Sequence, residues 1–156
     1  MLNWINNRFA ANLEEIDLYH VKNFSLIWNV FEDAVCNRNC SIPVMEAAYQ
    51  NINFDIEHFR KFLDYFQSRY ETKGNINQRF PALRIGQNNE PRVTEVLEGR
   101  SADTREIVLA ISIIVYRYRN NLFHGEKEMR TINLQEENFR HANGFLQSLL
   151  ENYYPV

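Results

Sequence analysis

The sequence predicts an all-α domain, and three observations carry that expectation. Apolar residues recur at steps of three and four along several long stretches, the mark of one-faced helices. Strand-like alternation is almost absent. One run in the last third, from Ile107 to Val115, is apolar on nearly every side, which places it as a helix in the middle of a core. Together these give a four-to-five-helix up-and-down bundle with short accessory helices, formed as a single domain over residues 1–156. A chain of that length buries well over half of its unfolded surface without a second domain.

Taken in order, Leu13, Ile16, His20, Phe24, Ile27, Phe31 and Ala34 form a stripe that predicts a first long helix from Leu13 to Arg38. His20 lies on that stripe and is expected to be packed in the core. Glu32 and Asp33 read as a solvated edge. Cys36 and Cys40 have no further Cys or His nearby to complete a tetrahedral zinc site, so two reduced thiols partly packed in the core are expected. Ser41 as a cap and Pro43 in a first turn open a short helix to about Gln50.

Asn53 is the expected cap of the second long helix, whose stripe is Ile56, Phe59, Leu63, Phe66 and Tyr70. Asp55 and Glu57 suit its positive end, and Lys73 with Gly74 should close it. Residues 75–93 hold two prolines and show no sustained period, so they read as irregular. Arg79, Arg84 and Arg92 face the single acid Glu90 in that stretch. It can line a groove over the end of the central helix, or be pinned to the bundle by Phe80, Leu83 and Ile85; pinning is the expectation preferred here.

A short helical piece around Thr94 to Leu97 precedes Gly99. Asp103 and Glu106 fit a reciprocal cap for the central helix. Beyond it, 126–132 form a charged connection, Asn133 and Glu136 repeat the capping pattern, and Phe139, Ala142, Leu146, Leu149 and Tyr153 stripe the last helix.

The central helix changes character at Tyr116, where the sequence becomes Tyr-Arg-Tyr-Arg-Asn-Asn-Leu-Phe-His-Gly. The most buried helix thus ends in Arg119, Asn120 and His124, and a rigid element carrying polar groups is what a site needs. At about 100° per residue, Asn120 and His124 lie roughly 40° apart while Arg119 and His124 lie roughly 140° apart. All three converge only if the helix stops at this point, with Gly125 following in a left-handed conformation.

The segment Arg119-Asn-Asn-Leu-Phe-His124-Gly resembles the motif of the HEPN superfamily of helical ribonuclease and nucleotide-binding domains, an Arg, usually a polar residue, then His four to six positions on. The apolar helix before it and the second long helix after it belong to the same resemblance, which covers about the last third of the chain. The resemblance implies a helical bundle and a metal-independent endoribonuclease in a toxin or phage-defence (abortive infection) setting. It further implies that Arg119, Asn120 and His124 act on RNA in a homodimer, beside a possible antitoxin or defence-system partner. A non-catalytic nucleotide-binding or partner-binding module is the alternative it allows. The related motif that continues His-x-Tyr, associated with nucleotidyltransferase partners, is not matched, because Glu126 stands at the Tyr position.

Charge is unevenly spread. The chain carries a net −3, yet residues 60–130 hold 13 basic and 9 acidic groups, a modest positive field around the motif that suits a phosphate backbone. No apolar run approaches the roughly 20 residues needed to span a bilayer. With no basic segment followed by a long apolar block at the N-terminus, a soluble, cytoplasmic protein without a membrane partner is expected.

The residue types fit strand cleavage by the RNA's own 2′-hydroxyl. Imidazole exchanges protons near neutral pH, and a guanidinium holds a crowded phosphate with its fork of donors. Asn120 can orient either. No dense carboxylate set accompanies the motif for metal-dependent cleavage, and no Ser sits on a nucleophile turn, so neither a metal nor a cofactor is expected.

Overall fold

The computed structural model describes residues 1–124 and 129–154. Seven α-helices are present among them: α1 Leu2–Phe9, α2 Tyr19–Cys36, α3 Ile42–Tyr49, α4 Arg60–Tyr70, α5 Glu90–Leu97, α6 Thr104–Phe123 and α7 Glu136–Leu150. A two-residue hairpin, β1 Glu71–Thr72 and β2 Asn75–Ile76, is the whole of the sheet among the described residues. The all-α bundle is therefore as expected. Among the described residues, no helix is long and apolar enough to cross a membrane.

The centre is α6. Its Asp103 cap accepts from the Glu106 N–H at 3.0 Å, and eleven of its twenty residues are buried, including the whole run from Ile107 to Val115. Around it pack α3, α4, α5 and the turn at Phe80–Leu83, while α7 lies along α2 and against α4. The single polar interruption, Ser112, is satisfied twice: its hydroxyl reaches the Val108 carbonyl at 2.8 Å and the Tyr49 hydroxyl at 2.8 Å. Gly144 lets α7 approach α4, because a Cβ there would stand 2.8 Å from the Phe62 ring.

Several boundaries differ from expectation, each for a local reason. The first long helix begins at Tyr19, behind a 3-10 turn at Ile16–Leu18. Its buried face is Phe24, Trp28, Phe31 and Val35, so the stripe is rotated by about one residue from the expected Ile27 and Ala34. His20 is at the rim, its side chain about one-fifth exposed and 3.9 Å from Glu136, not inside the core. The terminal helix α1 was not foreseen; it buries no residue fully and is anchored by Asn6, whose amide exchanges two hydrogen bonds with the Leu13 backbone.

The cysteine expectation is corrected as well. Asn37 and Arg38 both take positive φ, 47° and 66°, which stops α2 in left-handed geometry and folds the chain back. Cys40 then comes within 4.8 Å of Cys36, Cα to Cα, and the two form a disulfide. That is not the state a reducing cytosol favours.

The second long helix is shorter than its stripe. Asp55, not Asn53, caps a 3-10 turn at Ile56–His58, and α4 proper runs only from Arg60 to Tyr70. Lys73 and Gly74, φ 53° and 84°, form the two-residue turn of the hairpin instead of a helix cap, since consecutive positive φ values match the twist of paired strands. The stretch 75–93, expected to be irregular, contains β2, a 3-10 turn at Phe80–Leu83 and the start of α5, where Pro91 sits in the first turn. Phe80 and Leu83 are buried, as expected of residues that pin it to the bundle. Near the end, α7 starts at Glu136 after a 3-10 stretch, Met129–Gln135, so Asn133 does not cap it.

Candidate active site

The polar end of α6 is sorted by angle. Arg117 and Asn121 are one turn apart and face the Phe80–Leu83 turn. The Arg117 Nε donates to the Leu83 carbonyl at 2.9 Å and the Asn121 amide donates to the Ala82 carbonyl at 3.3 Å. Asn121 is 3% exposed. These two side chains latch the 75–93 stretch over the helix end. Tyr118, also buried, pairs its hydroxyl with that of Tyr70 at 2.6 Å.

Arg119 and Asn120 point elsewhere. Arg119 is about 160° round the helix from Arg117. Its Nη1 donates to the Asn120 side-chain oxygen at 3.2 Å, and its guanidinium lies 5.3 Å from the centre of the Phe123 ring, a cation–π distance. The Arg119 Nε is buried without an acceptor among the described residues.

Asn120 is thus taken up by Arg119 and not by His124. His124 stands at the helix terminus, as expected, with φ −94° and ψ 12°; its N–H closes the last turn on the Asn120 carbonyl at 2.9 Å. Its ring is exposed. The expectation for Gly125, and those for Glu126 and Glu128, fall outside the described residues.

The structure therefore brings Arg119 and Asn120 into contact; His124 lies one turn beyond Asn120, and because α6 runs unbroken to Phe123 it stands roughly 140° round the axis from Arg119. Among the described residues, no group of three or more His, Cys, Asp or Glu is placed to hold a metal ion.

Of the basic residues in 75–93, Arg92 is not in a groove. It bridges Glu46 at 2.9 Å and Glu106 at 3.0 Å, and the first of these contacts holds the Glu46 carboxyl below its usual range. Arg79 does line a cavity, together with Arg69, Tyr70 and Tyr118. The sequence reading missed that cavity. Its one linear signal is Tyr70, the last residue of the second helix's apolar stripe, with the basic Arg69 beside it.

Comparison with protein-family models, with curated proteins and with solved structures gives no match.

Proposed function

We propose that the protein is a metal-independent endoribonuclease of the HEPN type, acting in a toxin or phage-defence setting, with Arg119, Asn120 and His124 as its catalytic residues. One observation carries the reading: the end of a buried helix carries an Arg held by Asn120 and Phe123 and, five residues on, an exposed His at the helix terminus. In the reaction, the 2′-hydroxyl of one nucleotide attacks the adjacent phosphorus, and the bond to the 5′-oxygen breaks. The hydroxyl proton goes to a base, and a second proton goes to the leaving 5′-oxygen. His124 is the group for a proton transfer. Arg119 has Nη donors left over for the crowded phosphate, while Asn120 fixes the guanidinium plane.

One copy offers one Arg and one His, yet two proton transfers are served better by separate groups. A two-fold axis beside the end of α6 brings two such ends into one cleft, because a symmetric interface repeats one patch on both subunits. The exposure of His124 and of Phe123, 56%, supports a homodimer formed this way. The alternative, a non-catalytic nucleotide-binding or partner-binding module, is favoured by that same exposed Phe123, which suits a contact surface as well as a dimer seam.

The deciding experiment is incubation of purified protein with labelled RNA in excess EDTA. Products ending in 2′,3′-cyclic phosphate or 3′-phosphate are expected, from a species of about twice the 18.6 kDa chain mass by light scattering. Strict Mg²⁺ dependence would sink the mechanism. Full activity as a monomer would sink the shared cleft alone.

A further inference from the structure

A second polar site lies on the other side of α6. Tyr118 is about 160° round the helix from Asn120, and Asn121 is about 160° from Arg119. Both line a cavity of about 180 Å³ bounded by α4, α6, the Phe80–Leu83 turn and the start of α7. Arg69 and Arg79 line it too, and no Asp or Glu does.

The hydrogen-bonding capacity of its walls is lopsided. The Asn138 oxygen already accepts from the Tyr65 hydroxyl at 2.7 Å, and its amide donates to Gln135 at 2.7 Å. The Asn121 oxygen accepts from the Arg117 Nη2 at 3.5 Å, and one N–H of its amide goes to the Ala82 carbonyl. Donors, by contrast, are left over. The Arg69 Nε is buried without an acceptor among the described residues, with the guanidinium 5.7 Å from the Tyr70 ring centre.

The Tyr70–Tyr118 pair adds one more donor. Its two hydroxyls bond to each other, and such a pair consumes only one of its two protons. Burial pushes the Tyr118 hydroxyl well above its usual pKa, so the proton stays in place. Arg69 also interacts with the Tyr70 hydroxyl, yet its unpaired buried Nε, the exposed guanidinium of Arg79 and a spare O–H line one small, partly open pocket, and these are donors that an anion satisfies.

We propose that this cavity binds a single phosphate group, as free phosphate or as the phosphate of a monoester. Its volume is well below the roughly 300–1,000 Å³ of pockets that enclose a whole drug-sized ligand. It therefore admits the phosphate and leaves any attached nucleoside outside. The site is independent of the chemistry at Arg119 and His124. Occupancy joins α4, through Arg69, to the 75–93 stretch, through Arg79.

The test is calorimetric titration of the full chain, in phosphate-free buffer at fixed ionic strength, with inorganic phosphate and separately with adenosine 5′-monophosphate. Saturable binding of at least one, with chloride inert, is expected. Tighter binding of phosphate identifies the free ion as occupant, and tighter binding of the monophosphate identifies a monoester. Arg69→Gln and the more exposed Arg79→Gln should each weaken binding about tenfold or more, as loss of a charge-assisted hydrogen bond does, while Arg60→Gln, at the exposed start of α4, leaves it unchanged. No saturable binding by either probe, or equal binding by Arg79→Gln and wild type, overturns the proposal. Neither readout involves RNA cleavage, so this site and the ribonuclease reading fail separately.

Discussion

The last two turns of α6 carry two arginines and two asparagines, and the pair at 117 and 121 lives in a different physical setting from the pair at 119 and 120. Arg117 and Asn121 both donate to backbone carbonyls of the Phe80–Leu83 turn. Arg119 and Asn120 hold each other and, among the described residues, reach no backbone acceptor of a neighbouring element. Helical angle alone separates them: residues four apart share a face, and residues two apart do not. The same chemistry thus serves as a latch on one side of a helix and stays available for a ligand on the other.

The sharpest way to break this comparison is to remove the available side. Arg119→Ala and His124→Ala should each lower RNA turnover by a factor on the order of 100 or more, with the thermal midpoint and far-UV dichroism close to wild type. If either variant unfolds instead, the two faces are both structural and the contrast is void.

Removing the latch should give the opposite pattern. Asn121→Ala removes the part-buried hydrogen bond to the Ala82 carbonyl, a loss of about 0.5–1.5 kcal/mol. In a domain of this size that lowers the melting temperature by roughly 2–4 °C per kcal/mol. Below that midpoint, cleavage should stay within a few-fold of wild type. A 100-fold loss of turnover in a folded Asn121→Ala would show that the latch feeds the reaction.

The smallest effect concerns two tyrosines, Tyr118 on the held side of α6 and the half-buried Tyr153 after α7. Burial raises the Tyr118 hydroxyl well above its usual pKa and pushes Tyr153 up to about 12. A group whose folded pKa is raised contributes stability that is complete below the unfolded value, about 10 for tyrosine, and is lost as pH climbs toward the folded value. Denaturant midpoints should hold to about pH 10 and then fall. Tyr118→Phe should start slightly lower but decline less steeply. Equal slopes for the two proteins would mean that Tyr118 titrates in the folded state as it does unfolded.

Periodicity made the bundle legible, and it did so best where the environment is uniform. The run from Ile107 to Val115 is buried on all sides, so no phase error was possible there. On α2 the choice of face was a matter of phase, and Trp28 outcompeted Ile27 for the core because its larger ring fills the space against Phe31 and Tyr116, at 5.1 and 5.9 Å between ring centres. Lys73-Gly74 was read as a helix stop because one positive φ suits a cap, while two in succession make a hairpin. The motif at Arg119 and His124 was legible because its residues are close in sequence. The cavity was not, because Arg69, Arg79 and Tyr118 meet only through tertiary packing, for which a linear pattern has no signal.

The latch on Ala82 and Leu83 also constrains how the sequence can drift. Arg117 and Asn121 grip carbonyl oxygens, which every residue possesses. The grip therefore does not depend on which side chain occupies position 82, and Ala82 is exposed. Substitutions there should be nearly silent, while positions 117 and 121 stay fixed. Variation would then collect on the outer surface of the turn, with the path of its backbone unchanged.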